Sequence, residues 1–237
     1  MTLRIPVTDD PLPLVVVAHG YAASAADYSA LADALATAGF VVAAPDFPRS
    51  SSAVTTNPVR DIVAQAADVT YLIDQLTNPV VMATVAARID AERIAVIGHS
   101  DGGVTAAGVA FNGAVADPRI GAAVVLSGGA FGFAGDWFTD DTPAALLVVH
   151  GTADTVNPFA AGQSLFDQGT GRKWLVAVEG SGHVDPFTNG EGVPDVAALV
   201  VDFLHTTLLS DSDSDSAAAR HLAESAEAGA LTLVAAA

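Results

Sequence analysis

Ser100, in Gly98-His99-Ser100-Asp101-Gly102-Gly103, is the residue of this 237-residue chain best placed to attack a carbonyl. A Val/Ile-rich run, Arg93–Gly98, leads into it and a run of small residues leaves it. That sequence predicts a strand, a sharp turn and a helix, with the serine oxygen exposed at the apex and glycines where side chains would collide. A serine hydroxyl is a weak nucleophile until a base takes its proton, and the base needs a carboxylate to orient it. The chain has no cysteine, which excludes thiolate catalysis, disulfides and cysteine-bound zinc.

Six histidines compete for the role of base. His99 adjoins the serine, and its side chain is expected to point away. His19 precedes Ser100 and belongs to His19-Gly20-Tyr21. His150 ends a strand and is expected to pack or to support the following turn. His205 falls inside the last helix and His221 in the tail. His183 remains, in the glycine-rich segment Glu179-Gly180-Ser181-Gly182-His183, where a base on a loop can reach the serine. The acid should lie between Ser100 and His183 in chain order. Asp154 follows the apolar run Leu146–Val149 and a turn, so its carboxylate is expected at the same sheet edge. Asp136, Asp140 and Asp141 lack such a strand lead-in, and Asp185 is only two residues beyond the base.

Two N–H donors are needed for the oxyanion of a tetrahedral intermediate. The backbone N–H of Asp101 is one expectation and that of Tyr21 the other. The Tyr21 side chain is expected to line the substrate pocket, together with Phe131, Trp137 and Val156. Phe131 and Trp137 belong to an aromatic-rich loop, Phe131–Phe138, that would form a partly apolar wall.

These side chains have to be delivered by a frame. Leu14–Ala18, Phe40–Ala44, Arg93–Gly98, Ala122–Leu126, Ala145–His150 and Lys173–Val178 read as strands. Between them, 25–38, 57–76, 100–112, 158–167 and 193–208 read as helices with apolar residues three and four apart, and Gly39 is expected to cap the first. Unbroken apolar strands linked through helices predict a doubly wound, mostly parallel sheet buried on both faces, with sites at the carboxyl ends of the strands. About thirteen residues precede the first strong strand, leaving little room for an antiparallel edge. Fewer than twenty residues separate the strands at 122–126 and 145–149, too few for a helical cap.

Hydrophobic residues make up 51% of the chain and charged ones 15%, a composition that argues for a packed core. The 27 acidic and 9 basic residues give a net charge of −18, which disfavours nucleic acid and anionic membrane surfaces as partners. No apolar run approaches a membrane span. The N-terminal Met1-Thr2-Leu3-Arg4-Ile5-Pro6 lacks the basic and apolar regions of a secretory signal, so none is expected in the chain as it stands. Residues 1–208 read as one domain. Residues 209–237 read as a tail: an acidic run, Ser210–Ser216, expected to be a solvated linker rather than a calcium loop, then an Ala-rich segment and Leu231–Val234.

His19-Gly20-Tyr21, Gly98-His99-Ser100-Asp101-Gly102-Gly103, His150-Gly151-Thr152-Ala153-Asp154 with Pro158 shortly after, and Ser181-Gly182-His183 together resemble the α/β-hydrolase superfamily. The nearest branch is the dienelactone hydrolase, chlorophyllase and polyester hydrolase (cutinase-like) group, and the resemblance spans roughly residues 12–208. It implies an α/β-hydrolase fold and carboxylic-ester hydrolysis through an acyl-serine intermediate, with no metal or organic cofactor. Polyester hydrolases usually carry methionine after the serine and chlorophyllases arginine, where this chain has Asp101. Dienelactone hydrolases use a cysteine that is missing here. The expected activity is that of a serine esterase with an open site accepting small, bulky or polymeric esters. Amide cleavage or perhydrolysis by the same triad, or a non-catalytic binding protein of the same fold, are the alternatives.

Overall fold

The computed structural model describes residues 1–54, 60–139, 144–188, 190, 192–209, 223–224 and 231–236. The acidic run Ser210–Ser216, His221, Asp140, Asp141 and the Asn57-Pro58 start foreseen for the second helix lie outside them. Among the described residues, eight strands form one sheet: β1 (Thr2–Arg4), β2 (Leu12–Ala18), β3 (Val41–Ala44), β4 (Ile89–His99), β5 (Ile120–Leu126), β6 (Ala145–Gly151), β7 (Lys173–Val178) and β8 (Leu231–Ala236). Their spatial order is β1-β3-β2-β4-β5-β6-β7-β8. The six inner strands are parallel, while β1 and β8 run antiparallel at the two edges.

The helices are α1 (Ser29–Thr37), α2 (Ile62–Thr77), α3 (Ala83–Ala86), α4 (Asp101–Phe111), α5 (Phe159–Gln168) and α6 (Val193–Leu204). A single 3-10 turn, Ala25–Tyr28, leads into α1, and a π-turn, His205–Leu209, extends α6. Alternate strand residues feed two separate cores. Val15, Val17, Ala95, Ile97, Val124 and Val176 pack under α1 and α6. Their neighbours Leu14, Val16, Ile94, Val96, Val125 and Val148 pack under α2, α4 and α5. With both faces covered, the middle of each inner strand is buried and apolar, and polar residues fall toward the strand starts (Asp90, Glu92, Arg93, Lys173) or near their ends (His99, His150).

The chain turns outward from β2 to β3, then crosses back to β4 on the other side of β2. The carboxyl ends of β2 and β4 therefore diverge at a switch point, where an open sheet forms a crevice. This is an α/β-hydrolase-type architecture. The described residues of the connection from β5 to β6 contain no helix.

Several elements depart from the sequence reading. Helix α2 begins at Ile62, with Asp61 in the cap position, and Arg60 and Asp61 before it are ion-paired with Asp101 and Arg49. Strand β4 starts four residues early and carries the half-buried, paired Asp90 and Arg93. Strand β1 supplies a short antiparallel edge of three residues. Leu231–Val234 is part of strand β8, whose residues alternate between inward and outward positions along β7.

Candidate active site

The turn between β4 and α4 places Ser100 at φ 56° and ψ −121°, a left-handed conformation that costs a non-glycine residue energy and persists only where the surroundings enforce it. Those surroundings are backbone. A Cβ on Gly98 would lie 1.9 Å from the Gly102 carbonyl oxygen, and one on Gly102 would lie 2.1 Å from that of Ala18. Strand and helix thus meet at a spacing that only glycine permits. The Ser100 N–H donates to the Leu126 carbonyl, pinning the turn to β5 (3.0 Å).

The Ser100 hydroxyl donates to His183 Nε2 (2.8 Å), and His183 Nδ1–H donates to Asp154 Oδ2 (2.7 Å). Asp154 follows β6 and is buried; the Val156 and Asn157 amides donate to its Oδ1 (2.8 and 2.9 Å). Burial alone would raise its pKa, but the hydrogen bonds from His183, Asn157 and Val156 outweigh that and hold it below the ordinary carboxylate range. The carboxylate is thereby ionised and fixed, so His183 presents a bare nitrogen to the serine.

His99 departs from expectation. It does not simply point away from the serine but braces the neighbouring histidine loop. The Gly20 N–H donates to the Tyr28 hydroxyl (3.2 Å), which donates to His99 Nδ1 (2.8 Å), and His99 Nε2–H donates to the His183 carbonyl (2.7 Å). Burial drives the His99 pKa down to about 4, against the raising effect of the His183 carbonyl, so the ring stays neutral at physiological pH. Burial likewise pushes the Tyr28 phenol up and keeps it a donor. Sequence reasoning missed Tyr28, because a tyrosine at helical spacing reads as core.

The other described histidines are committed elsewhere. His19 accepts the Phe47 N–H at Nε2 and donates to the Gly20 carbonyl. His150 donates to the Asn157 carbonyl (2.8 Å) and sits 3.4 Å from Asp154 Oδ2, so it supports the turn that carries the carboxylate. His205 bonds the Ala38 carbonyl and stacks on Phe40.

A groove of about 350 Å³ opens over the serine, lined by Gly20, Tyr21, Tyr28, His99, Ser100, His183 and Val184 among others. Tyr21 stands on its rim, and Gly20 comes so close that a Cβ there would lie 3.1 Å from that of Ser100. Asp101 is the first residue of α4, so its N–H has no acceptor within the helix. Phe131 and Val156 are exposed on the loops after β5 and β6, outside the groove lining. Trp137 is not brought to the mouth. Its backbone pairs with Asn112, past the far end of α4 from Ser100, and its ring packs edge-on against Phe133. The aromatic loop runs down the helix instead of over the groove, because the Gly113 and Phe138 amides bond back to Asp136 and Phe111. A larger apolar cavity of about 760 Å³ lies between α1 and α6 and holds none of the residues read as catalytic.

The model of one protein family, described as Chlorophyllase, matches residues 1–127, a span that includes the His19-Gly20-Tyr21 loop and the Ser100 turn. No curated protein matches the chain.

Proposed function

Because the chain belongs to the chlorophyllase family, an α/β-hydrolase-type family of hydrolases, we propose that it is a serine carboxylic-ester hydrolase with Ser100, His183 and Asp154 as its triad. The observation that carries this reading is the unbroken line of hydrogen bonds from Ser100 Oγ through His183 to Asp154. In this reading His183 Nε2 takes the hydroxyl proton as Oγ attacks the ester carbonyl. Asp154 holds the tautomer and stabilises the imidazolium. The backbone N–H groups of Tyr21 and Asp101 receive the oxyanion, aided by the N-terminal dipole of α4. Collapse of the intermediate breaks the C–O bond, the imidazolium protonates the departing alcohol, and water repeats the sequence on the acyl-enzyme. The residues need no bound cofactor for these steps.

The groove at the switch point supports esters whose acyl or alcohol arm extends into solvent, including bulky and polymeric ones. Tyr21 is the aromatic side chain that meets such an arm at the rim, with Phe131 and Val156 farther out. Trp137 is too remote to stack on it. The test pairs fluorophosphonate labelling with hydrolysis of p-nitrophenyl esters, p-nitroanilides and a polyester film. Wild type should label and cleave the esters, and Ser100→Ala should lose labelling and more than about 10³-fold in kcat. Absence of labelling in wild type would make this a non-catalytic member of the family, and faster anilide than ester cleavage would make it an amidase.

A further inference from the structure

Asp101 puts a carboxylate beside the atom that the proposed reaction makes negative. Covalent geometry keeps its oxygens within about 5 Å of its own N–H, the proposed oxyanion donor. A lone charge there would oppose the charge developing on the substrate. The side chain is only 3% exposed, so water screens it little.

Arg60, just before α2, meets that carboxylate with both arms: Nη2 to Oδ1 at 2.7 Å and Nε to Oδ2 at 3.1 Å. A guanidinium stays protonated throughout the working range, and its two-pronged fit fixes the direction of the charge. The seam between α2 and α4 does not depend on this pair. Thr105 Oγ donates to Gln65 Oε1 (2.7 Å), and Gln65 Nε2 donates to Ser50 Oγ (2.8 Å). Arg60 itself is 61% exposed, so its replacement leaves no cavity.

We propose that Arg60 is a positioning residue acting through Asp101: it neutralises the carboxylate next to the oxyanion donor and so favours formation of the tetrahedral intermediate. This rests on the serine-esterase reading above. Arg60→Gln should lower kcat on a neutral p-nitrophenyl ester about tenfold while KM stays within about twofold, since the charge acts on the transition state alone. Arg60→Lys should recover most of the loss. In an Asp101→Asn background, Arg60→Gln should cost less than about twofold, because no charge remains to cancel. A kcat for Arg60→Gln within about twofold of wild type would overturn the proposal. So would an equal loss in both backgrounds, which would mean that Arg60 merely holds the chain in place. Ser100→Ala separates the two readings: if it stays active, the serine mechanism fails, whereas an inactive Ser100→Ala beside a fully active Arg60→Gln removes only the role of Arg60.

Discussion

Tyr28 joins three loops that are distant in sequence. Its hydroxyl receives the Gly20 N–H and donates to His99, whose other nitrogen holds the His183 carbonyl. All of these groups are buried except at the His183 end, so each bond stands in place of one to water. Tyr28→Phe keeps the ring and removes the oxygen, leaving a buried amide and a buried imidazole nitrogen without partners. A buried donor left unpaired costs about 1–3 kcal/mol. The urea midpoint should therefore fall with little change in slope, and kcat should fall as the Gly20 and His183 loops loosen. An unchanged midpoint would mean that both groups find other partners. Chemistry-bearing residue types are legible in a sequence, whereas this relay is not. Tyr28 and His99 lie 71 positions apart, and only the parallel pairing of β2 with β4 makes them neighbours.

Turns and helix starts carry the second level of specification. Gly102→Ala drives a Cβ into the Ala18 carbonyl at 2.1 Å, backbone against backbone, where neither side can yield. Loss of more than about 3 kcal/mol is expected, a fall of roughly 10 °C in melting temperature for a chain of this length. Gly180→Ala meets nothing within 4 Å and suffers only from its φ of 70°, so about 1–2 kcal/mol is expected. Differential scanning fluorimetry of the two variants checks the order, and equal shifts would contradict it. The inner strands were legible because both faces are buried, and Ser100, His183 and Asp154 because each follows a strand that ends at one edge. What escaped was set by long-range contacts. Strand β8 is six residues recognisable only by their pairing with β7, and the ion pairs of Arg60 and Asp61 ahead of α2 reach Asp101 and Arg49 across the fold. Trp137 was read by its nearness in sequence to the mouth, but the backbone bonds of its loop carry it to the other end of α4.

At the scale of the whole molecule, buried histidines shape the response to acid. Burial lowers the pKa of His19, His99 and His150, that of His99 to about 4. Each therefore binds a proton less readily when folded than when unfolded, where its pKa lies near 6.5. The unfolded chain therefore binds more protons between about pH 6.5 and 4, and stability falls as the pH drops through that window. His99 alone accounts for about 3 kcal/mol at pH 4. The net charge of −18 acts in the opposite sense, since protonation relieves repulsion, but 0.15 M salt screens charges beyond about 8 Å. Melting temperature in that salt should decline from pH 7 to pH 4, and less steeply in His99→Gln. A flat profile in wild type would show that these histidines are not neutral in the folded state.

Strand β8 has a consequence for assembly as well as for architecture. It pairs with β7 across more than fifty intervening residues, with Leu231 opposite Val178 and Ala236 opposite Trp174. Contacts so far apart in sequence form late. Until β8 docks, the outer row of amides and carbonyls on β7 is a template for any other extended chain. Docking of β8 fills that row with the chain's own segment, so during folding β8 competes with any extended segment of another molecule for the same pairing.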